Sequence, residues 1–388
     1  MPIKNRFAEW LPEIAAWRQD IHAHPELQFD THRTAALVAD KLRAFGCDAV
    51  ETGIGRTGVV GVIRGRADTS GRVVGLRADM DALPIFEATG VDYASTEPGK
   101  MHACGHDGHT AMLLGAARYL AETRNFDGTA VVIFQPAEEG GGGGKAMLDD
   151  GLMDRFGIHE VYGMHNWPGL PAGQFAIRPG PFFAATDEFN ITVRGHGGHA
   201  AKPQDTVDPI VIASQIVLGL QTVISRNLDP VAQAVLSVTS IESATKAHNV
   251  IPPSVDLRGT VRTLNDGIRD LIEARLTAVA TGIAAAAGGD AHVSYRRGYP
   301  VMINAEAETA FAAEAARNVS GTCGDAPLVM WGEDFSYLLQ ARPGAYIVMG
   351  NGDSAPVHDP AYNFNDEAIP AGCSWWAEIV QTRLPVAH

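Results

Sequence analysis

Apolar side chains recur at helical spacing from Glu9 to Ile21 and again from Thr31 to Phe45, where Gly46 supplies a stop, so two helices lead the chain. Short β-branched runs follow at Gly58 to Ile63, Arg72 to Leu76 and Thr129 to Phe134, with helical periodicity from about Thr110 to Ala121 between the last two. This alternation predicts an α/β layer architecture with a mixed, mostly parallel sheet. Ligands of such sheets gather where strands run out into loops. Polar clusters stand at those places: Asp79-Met80-Asp81 after one strand, Glu138-Glu139 after another, and His165 after Val161-Tyr162-Gly163.

From about Asp187 the order of elements changes. A strand (Glu188 to Val193), a helix (Pro209 to Ser225), two strands (Ala232 to Ser240 and Ser254 to Thr263), a helix (Gly267 to Ala286) and a strand (His292 to Arg296) make β-α-β-β-α-β, the ferredoxin-like arrangement. We read residues 187–299 as an inserted α+β domain, and residues 1–186 and 300–388 as the two parts of one discontinuous domain. After Pro300 the pattern is helix, strand and helix, with His358 in this last part.

Composition narrows the function classes. A chain of 388 residues exceeds what one hydrophobic core usually serves, which agrees with two domains. A formal net charge of -15, with no basic stripe, argues against nucleic acid and anionic membrane surfaces as partners. No apolar run approaches membrane-spanning length, and the N-terminus has no signal-peptide core. Cys47, Cys104, Cys323 and Cys373 are too scattered for a disulfide framework, so a reducing cytoplasm is the expected setting.

The run Met101-His-Ala-Cys-Gly-His-Asp-Gly-His109 packs three imidazoles, a thiol and a carboxylate into nine residues, which no packing argument requires. Thiolate sulfur and neutral imidazole nitrogen suit a small divalent ion, so Cys104 and His106 read as part of a metal site. Further ligands are offered at Glu138-Glu139, His165 and His358. Adjacent carboxylates on a loop can divide labour, one holding metal while its neighbour moves protons. Gly140 to Gly144 lack the Lys-Ser/Thr ending of a phosphate loop, which argues against nucleotide binding.

Seven collinear motifs carry a resemblance across nearly the whole chain: Arg77-Ala-Asp-Met-Asp-Ala-Leu-Pro84, the Met101–His109 run, Gln135-Pro-Ala-Glu-Glu139, Gly163-Met-His165, Gly195-His-Gly-Gly-His199, His248-Asn-Val-Ile-Pro252 and Gly332-Glu-Asp-Phe335. Together they resemble the M20 metallopeptidases, more narrowly the amidohydrolase branch with hippurate hydrolases and auxin-amino acid conjugate hydrolases. The resemblance implies a catalytic domain with an inserted lid and dimerisation domain, and a homodimer or higher homo-oligomer. It also implies two divalent metal ions, zinc or manganese first, with cobalt or nickel as alternatives. Cys104 would bridge them, where most of the family uses aspartate; His106 and His165 would complete one shell, Glu139 and His358 the other. Glu138 would be the general base. Asp79 and Asp81 would orient ligands without binding metal, since the family's His-x-Asp histidine is absent here. His199 would polarise the scissile carbonyl, and Asn249 and Arg262 would contact the substrate carboxylate. His102 and His109 match the pattern without an assigned role.

The expected reaction is hydrolysis of an N-acyl amino acid, hippurate-like, N-acetyl or other, to a carboxylic acid and a free amino acid. A dipeptidase or carboxypeptidase on the same scaffold is the rival within enzymology. A non-catalytic metal-binding or ligand-binding protein is the rival outside it, and Glu138 speaks against that reading because a pure binder needs no base.

Overall fold

A computed structural model describes residues 4–386. The described residues fold into two compact units, one comprising residues 4–180, Ile303–Pro327 and 334–386, the other Pro181–Met302 with Leu328–Glu333. The second unit thus takes a short late segment that the sequence pattern does not separate from its surroundings.

The first unit is built on an eight-stranded sheet. Its strands in the first half of the chain are β1 (Ala49–Ile54), β2 (Gly58–Arg64), β3 (Val73–Asp79), β4 (Thr129–Gln135), β5 (Glu160–Trp167) and β6 (Phe175–Ile177). Across the sheet the order is β1-β2-β4-β3-β5, then the strand Gly344–Gly350, β6 and Gly324–Asp325. The sheet is mixed. β4, β3, β5 and Gly344–Gly350 run parallel to one another, while β2 pairs antiparallel with β4, β1 antiparallel with β2, and β6 antiparallel with Gly344–Gly350. The parallel strands are covered on both faces, which is why they read as nearly continuous apolar runs. Edge strand β1 is largely exposed and carries Glu51 and Thr52, so no apolar run announces it.

Helices α1 (Asn5–Ala23), α2 (His32–Ala44) and α3 (His106–Thr123) share one core with the helices Glu306–Ser320 and Ile369–Arg383, which contribute Ala312, Val319, Trp375 and Trp376. Helix α3 is buried on nearly every side, from His106 through Ala117. It starts directly after Gly105, whose φ of 86° places it in the left-handed region, and a Cβ there would collide with Asn166 Nδ2 and the Tyr362 hydroxyl. Only glycine fits that turn, and the turn aims Cys104 and His106 at the carboxyl ends of β3, β4 and β5.

The second unit has the expected element order: strand Ala185–Arg194, helix Pro209–Asn227, strands Ala234–Ser243 and Ser254–Thr263, helix Asp266–Ala286 and strand Asp290–Arg297. Its four strands pair antiparallel with Ala234–Ser243 and Asp290–Arg297 at the edges. Phe189, Ile191, Val193, Leu257 and Val261 meet Ile212, Ile216, Leu220, Ile272 and Leu276 in its core. Helix Pro209–Asn227 differs from the sequence expectation, since by length and composition alone it could cross a bilayer. Its apolarity has two sources: Ile212, Ala213, Ile216, Leu220 and Val223 fill the core, while Ile210, Val211 and Leu218 stand exposed. Ser214, Gln215, Gln221 and Thr222 interrupt the apolar residues, which is why no continuous run is visible in the sequence.

Candidate metal centre

The carboxyl ends of β3, β4 and β5 bring the sequence-predicted ligands together. Metal-binding atoms of Cys104, His106 and His165 lie within 4.8 Å of one another, and so do those of Cys104, Glu139 and His358. Cys104 is common to both groups. His358 reaches it because its backbone N–H donates to Ala103 O at 2.7 Å, with the backbone held at a φ of 66°.

The histidines present the correct nitrogen for ligation. His106 Nδ1 donates to Asp81 O at 2.8 Å and His165 Nδ1 to Asn166 O at 2.7 Å; a carbonyl can only accept, so Nε2 is the nitrogen that carries the lone pair whenever either ring is neutral. His165 Nε2 stands 3.4 Å from Cys104 Sγ. His106 Nε2 is buried without any hydrogen bond, a costly arrangement unless another group completes it, and Glu139 Oε1 is approached only by His358 Nε2 at 3.2 Å.

The electrostatics identify the missing charge as positive. Burial alone would lower the basicity of His106, yet Asp79, Asp81 and Glu139 outweigh it and push the imidazole up to about 10. Burial, reinforced by Glu139, Glu138 and Asp79, holds the Cys104 thiol well above its ordinary value. His165 goes the other way, kept neutral by burial and by the neighbouring His109 and His106. A pocket rich in carboxylates, with a thiol that only a cation would ionise, fits a pair of divalent metals.

Asp79 and Asp81 occupy the ends of this cluster in different ways. Asp81 accepts the backbone N–H groups of Glu138 and Glu139 at 2.9 and 3.1 Å, fixing the loop that carries both glutamates. Asp79 accepts from His109 Nδ1 at 2.6 Å, and His109 Nε2 accepts from the backbone N–H of Asn166 at 2.9 Å. Both nitrogens of His109 are thereby used, and the ring props Asn166 and Asp79 from behind. His102 is buried with neither nitrogen hydrogen-bonded, and burial, with His22, His106 and Arg18 adding to it, drives its basicity down to about 3.

Sequence reasoning missed a second tier of buried charge. Arg77 donates to Asp79 at 2.6 Å, to Asp334 at 2.9 Å and to Gln135 Oε1 at 2.9 Å, and so links the two buried carboxylates. Asp334 in turn accepts from Gln135 Nε2 and from the Gly144 N–H, and its own N–H approaches Glu138 Oε1 at 3.4 Å. Behind the first turn of α3, Asp107 accepts from His22 Nδ1 at 2.9 Å, and Arg18 stands 3.4 Å away. Arg77 and Asp334 lay inside motifs quoted for the resemblance. Arg18 and His22 lay on α1, where the apolar periodicity gives no sign that polar side chains turn inward.

The remaining candidates, His199, Asn249 and Arg262, belong to the second unit. His199 is exposed, pairs with Val250 across a two-residue ladder and accepts the Ala201 N–H at Nδ1; the neighbouring Asn249 carbonyl accepts the Ala200 N–H. Those two residues share one corner. Arg262 lies apart on the strand Ser254–Thr263, half-buried, and makes no ion pair among the described residues.

The chain matches peptidase family M20/M25/M40 over residues 75–382. It belongs to this family. The M20 chain is 40% identical to a hippurate hydrolase from Campylobacter jejuni, with 95% of each chain covered, and 38% identical to an N-acetylcysteine deacetylase from Bacillus subtilis, with 93% and 94% covered. Among solved structures it is similar to a dinuclear metal-binding peptidase of the M20 family from Bacillus subtilis, with a TM-score of 0.86, 34% identity and coverage of 98% and 100%. As an M20 protein it is a metal-dependent amidohydrolase with a mixed, mostly parallel α/β sheet.

Proposed function

We propose that this M20 hydrolase cleaves the amide of N-acyl amino acids to a carboxylic acid and a free amino acid. The carrying observation is the pair of ligand groups that share Cys104, with Glu138 beside them. Cys104, His106, His165, Glu139 and His358 would hold two metal ions, His106 and His165 serving one and Glu139 and His358 the other, with Cys104 common to both groups. Zinc or manganese suits this mixed sulfur, nitrogen and carboxylate set best, with cobalt or nickel also compatible. When bound, the metals supply Lewis acidity and lower the pKa of water.

Glu138 takes the proton from the attacking water and passes it to the leaving amine. Its backbone is anchored by Asp81, and the Asp334 N–H steadies its carboxylate from the other side. His199 donates to the developing oxyanion, and Asn249 and Arg262 hold the amino acid carboxylate. In this reading the second unit is a lid and dimerisation domain. The exposed Ile210, Val211 and Leu218 on helix Pro209–Asn227 support a homodimer or higher homo-oligomer. Four free cysteines support a reducing, cytoplasmic setting.

The test is a rate comparison on metal-loaded protein between N-acetyl or N-benzoyl amino acids and dipeptides bearing a free α-amino group. Faster release from the N-acyl compounds is expected. Faster dipeptide cleavage would replace this reading with a peptidase.

A further inference from the structure

A cleft of about 530 Å³ opens beside Glu139 within the first unit, walled by Leu27, Gln28, Phe29, Arg56 and Pro84. Its carboxylates are Glu139 and Asp30, and Arg56 is the only cation among the residues that line it. The guanidinium of Arg56 stands 4.1 Å over the Phe29 ring and makes no hydrogen bond or ion pair among the described residues.

The backbone beneath Arg56 is strained. Gly55 and Arg56, in the turn between β1 and β2, have φ of 59° and 79°, a region that glycine enters freely and arginine does not. The turn cannot relax easily. Asp150 accepts the Gly55 N–H at 2.6 Å, the Thr57 hydroxyl donates to Phe29 O at 2.9 Å, and a Cβ on Gly55 would strike Met147 Cγ at 2.6 Å. Gln28, with a φ of 48°, faces Ala137, with a φ of 55°; the Ala137 N–H donates to Gln28 O at 3.2 Å, one residue before Glu138. Three strained non-glycine positions therefore gather where the cleft meets the loop that carries the glutamates, as strain does at functional sites.

We propose that Arg56 is a specificity-determining residue of an acyl subsite, taking substrates whose acyl group ends in a carboxylate, as N-succinyl amino acids do. The proposal rests on the N-acyl amino acid reading above. Stacking on Phe29 holds the guanidinium plane, and its N–H edges remain for a two-pronged contact with a carboxylate. A cation is needed there, because Asp30 and Glu139 would otherwise repel an anionic acyl tail.

The experiment uses the metal-loaded full chain and its Arg56→Gly and Arg56→Lys variants. Glycine suits the backbone at this position, so Arg56→Gly should melt no lower than the parent. With the amino acid held constant, the ratio of kcat/KM for the N-succinyl substrate to that for the N-acetyl substrate should fall tenfold or more in Arg56→Gly and recover in part in Arg56→Lys. An unchanged ratio overturns the subsite, and so does a larger loss on the N-benzoyl substrate, which would mark a stacking platform. Calorimetry with succinate and butyrate separates this proposal from the function it rests on. Tighter succinate binding that disappears in Arg56→Gly, with no N-acyl amino acid turned over, removes the function and keeps the anion site; turnover without any Arg56-dependent discrimination removes the subsite alone.

Discussion

Each compact unit buries a cluster of charge, and the two clusters are finished differently. In the second unit Asp187 accepts from Arg269 at 2.5 to 3.2 Å, from the Tyr295 hydroxyl at 2.7 Å and from the Gly298 N–H at 3.1 Å, and Arg269 donates further to Gly298 O. Both carboxylate oxygens of Asp187 are answered within the protein. The cluster under β3, β4 and β5 instead leaves His106 Nε2 without a hydrogen bond and drives His106 and Cys104 far from their ordinary basicity. Completeness is the mark of a structural ion pair. Incompleteness with a consistent sign of missing charge is the mark of a site built for something else.

The contrast is broken most severely at the two adjacent glutamates. Glu138→Gln should retain metal and fold normally while losing about 100-fold to 10,000-fold in kcat, the usual range for general acid–base catalysis. Glu139→Ala should lose metal as well as turnover, measured as metal per chain after gel filtration. If both variants lose metal equally, the division of labour between them is wrong.

In the second unit, Asp187→Ala should strand the buried Arg269 and cost about 3 to 5 kcal/mol of stability, read by denaturant unfolding. Metal content should not change. A metal deficit in that variant would end the separation drawn between the two clusters.

The smallest effect concerns His22, which sits between them in character. Burial disfavours its charge, but Asp107 and Glu87 outweigh burial and raise it from 6.5 to about 9. A group raised in the folded state contributes stability that is fully present below pH 6.5 and is lost as pH climbs through about 9. The wild-type protein should therefore lose up to a few kcal/mol between those limits relative to His22→Gln, followed by urea midpoints across the pH range. Parallel curves would remove His22 from the balance.

Much of this was legible in the sequence because ligating side chains cluster at strand ends, and strand ends follow apolar runs. Glu139 stands just past β4 and His165 near the end of β5, whereas Cys104 and His106 were legible from the density of thiol and imidazole side chains in Met101–His109. Arg77 was not legible in its role, since a guanidinium at the end of the run Val73–Leu76 reads as a strand leaving the core; it is in fact fully buried between Asp79 and Asp334. Asn166 was missed for a different reason. Its work is done through Nδ2 to Cys104 O at 2.6 Å and through Tyr362, contacts between positions far apart in the chain that no local pattern encodes. Edge strand β1 escaped because half-exposed strands need not be apolar.

The bond from the His358 N–H to Ala103 O also sets a schedule. During synthesis the chain emerges from its N-terminus, and units tend to fold as they appear. Cys104 and His106 leave the ribosome early, followed by the whole α+β insertion, which can close its own core while the strand Gly344–Gly350 is still unmade. In the proposed ligand set His358 comes last, after that strand. On the proposed ligand set, capture of both ions would therefore be a late event, later than closure of the α+β core.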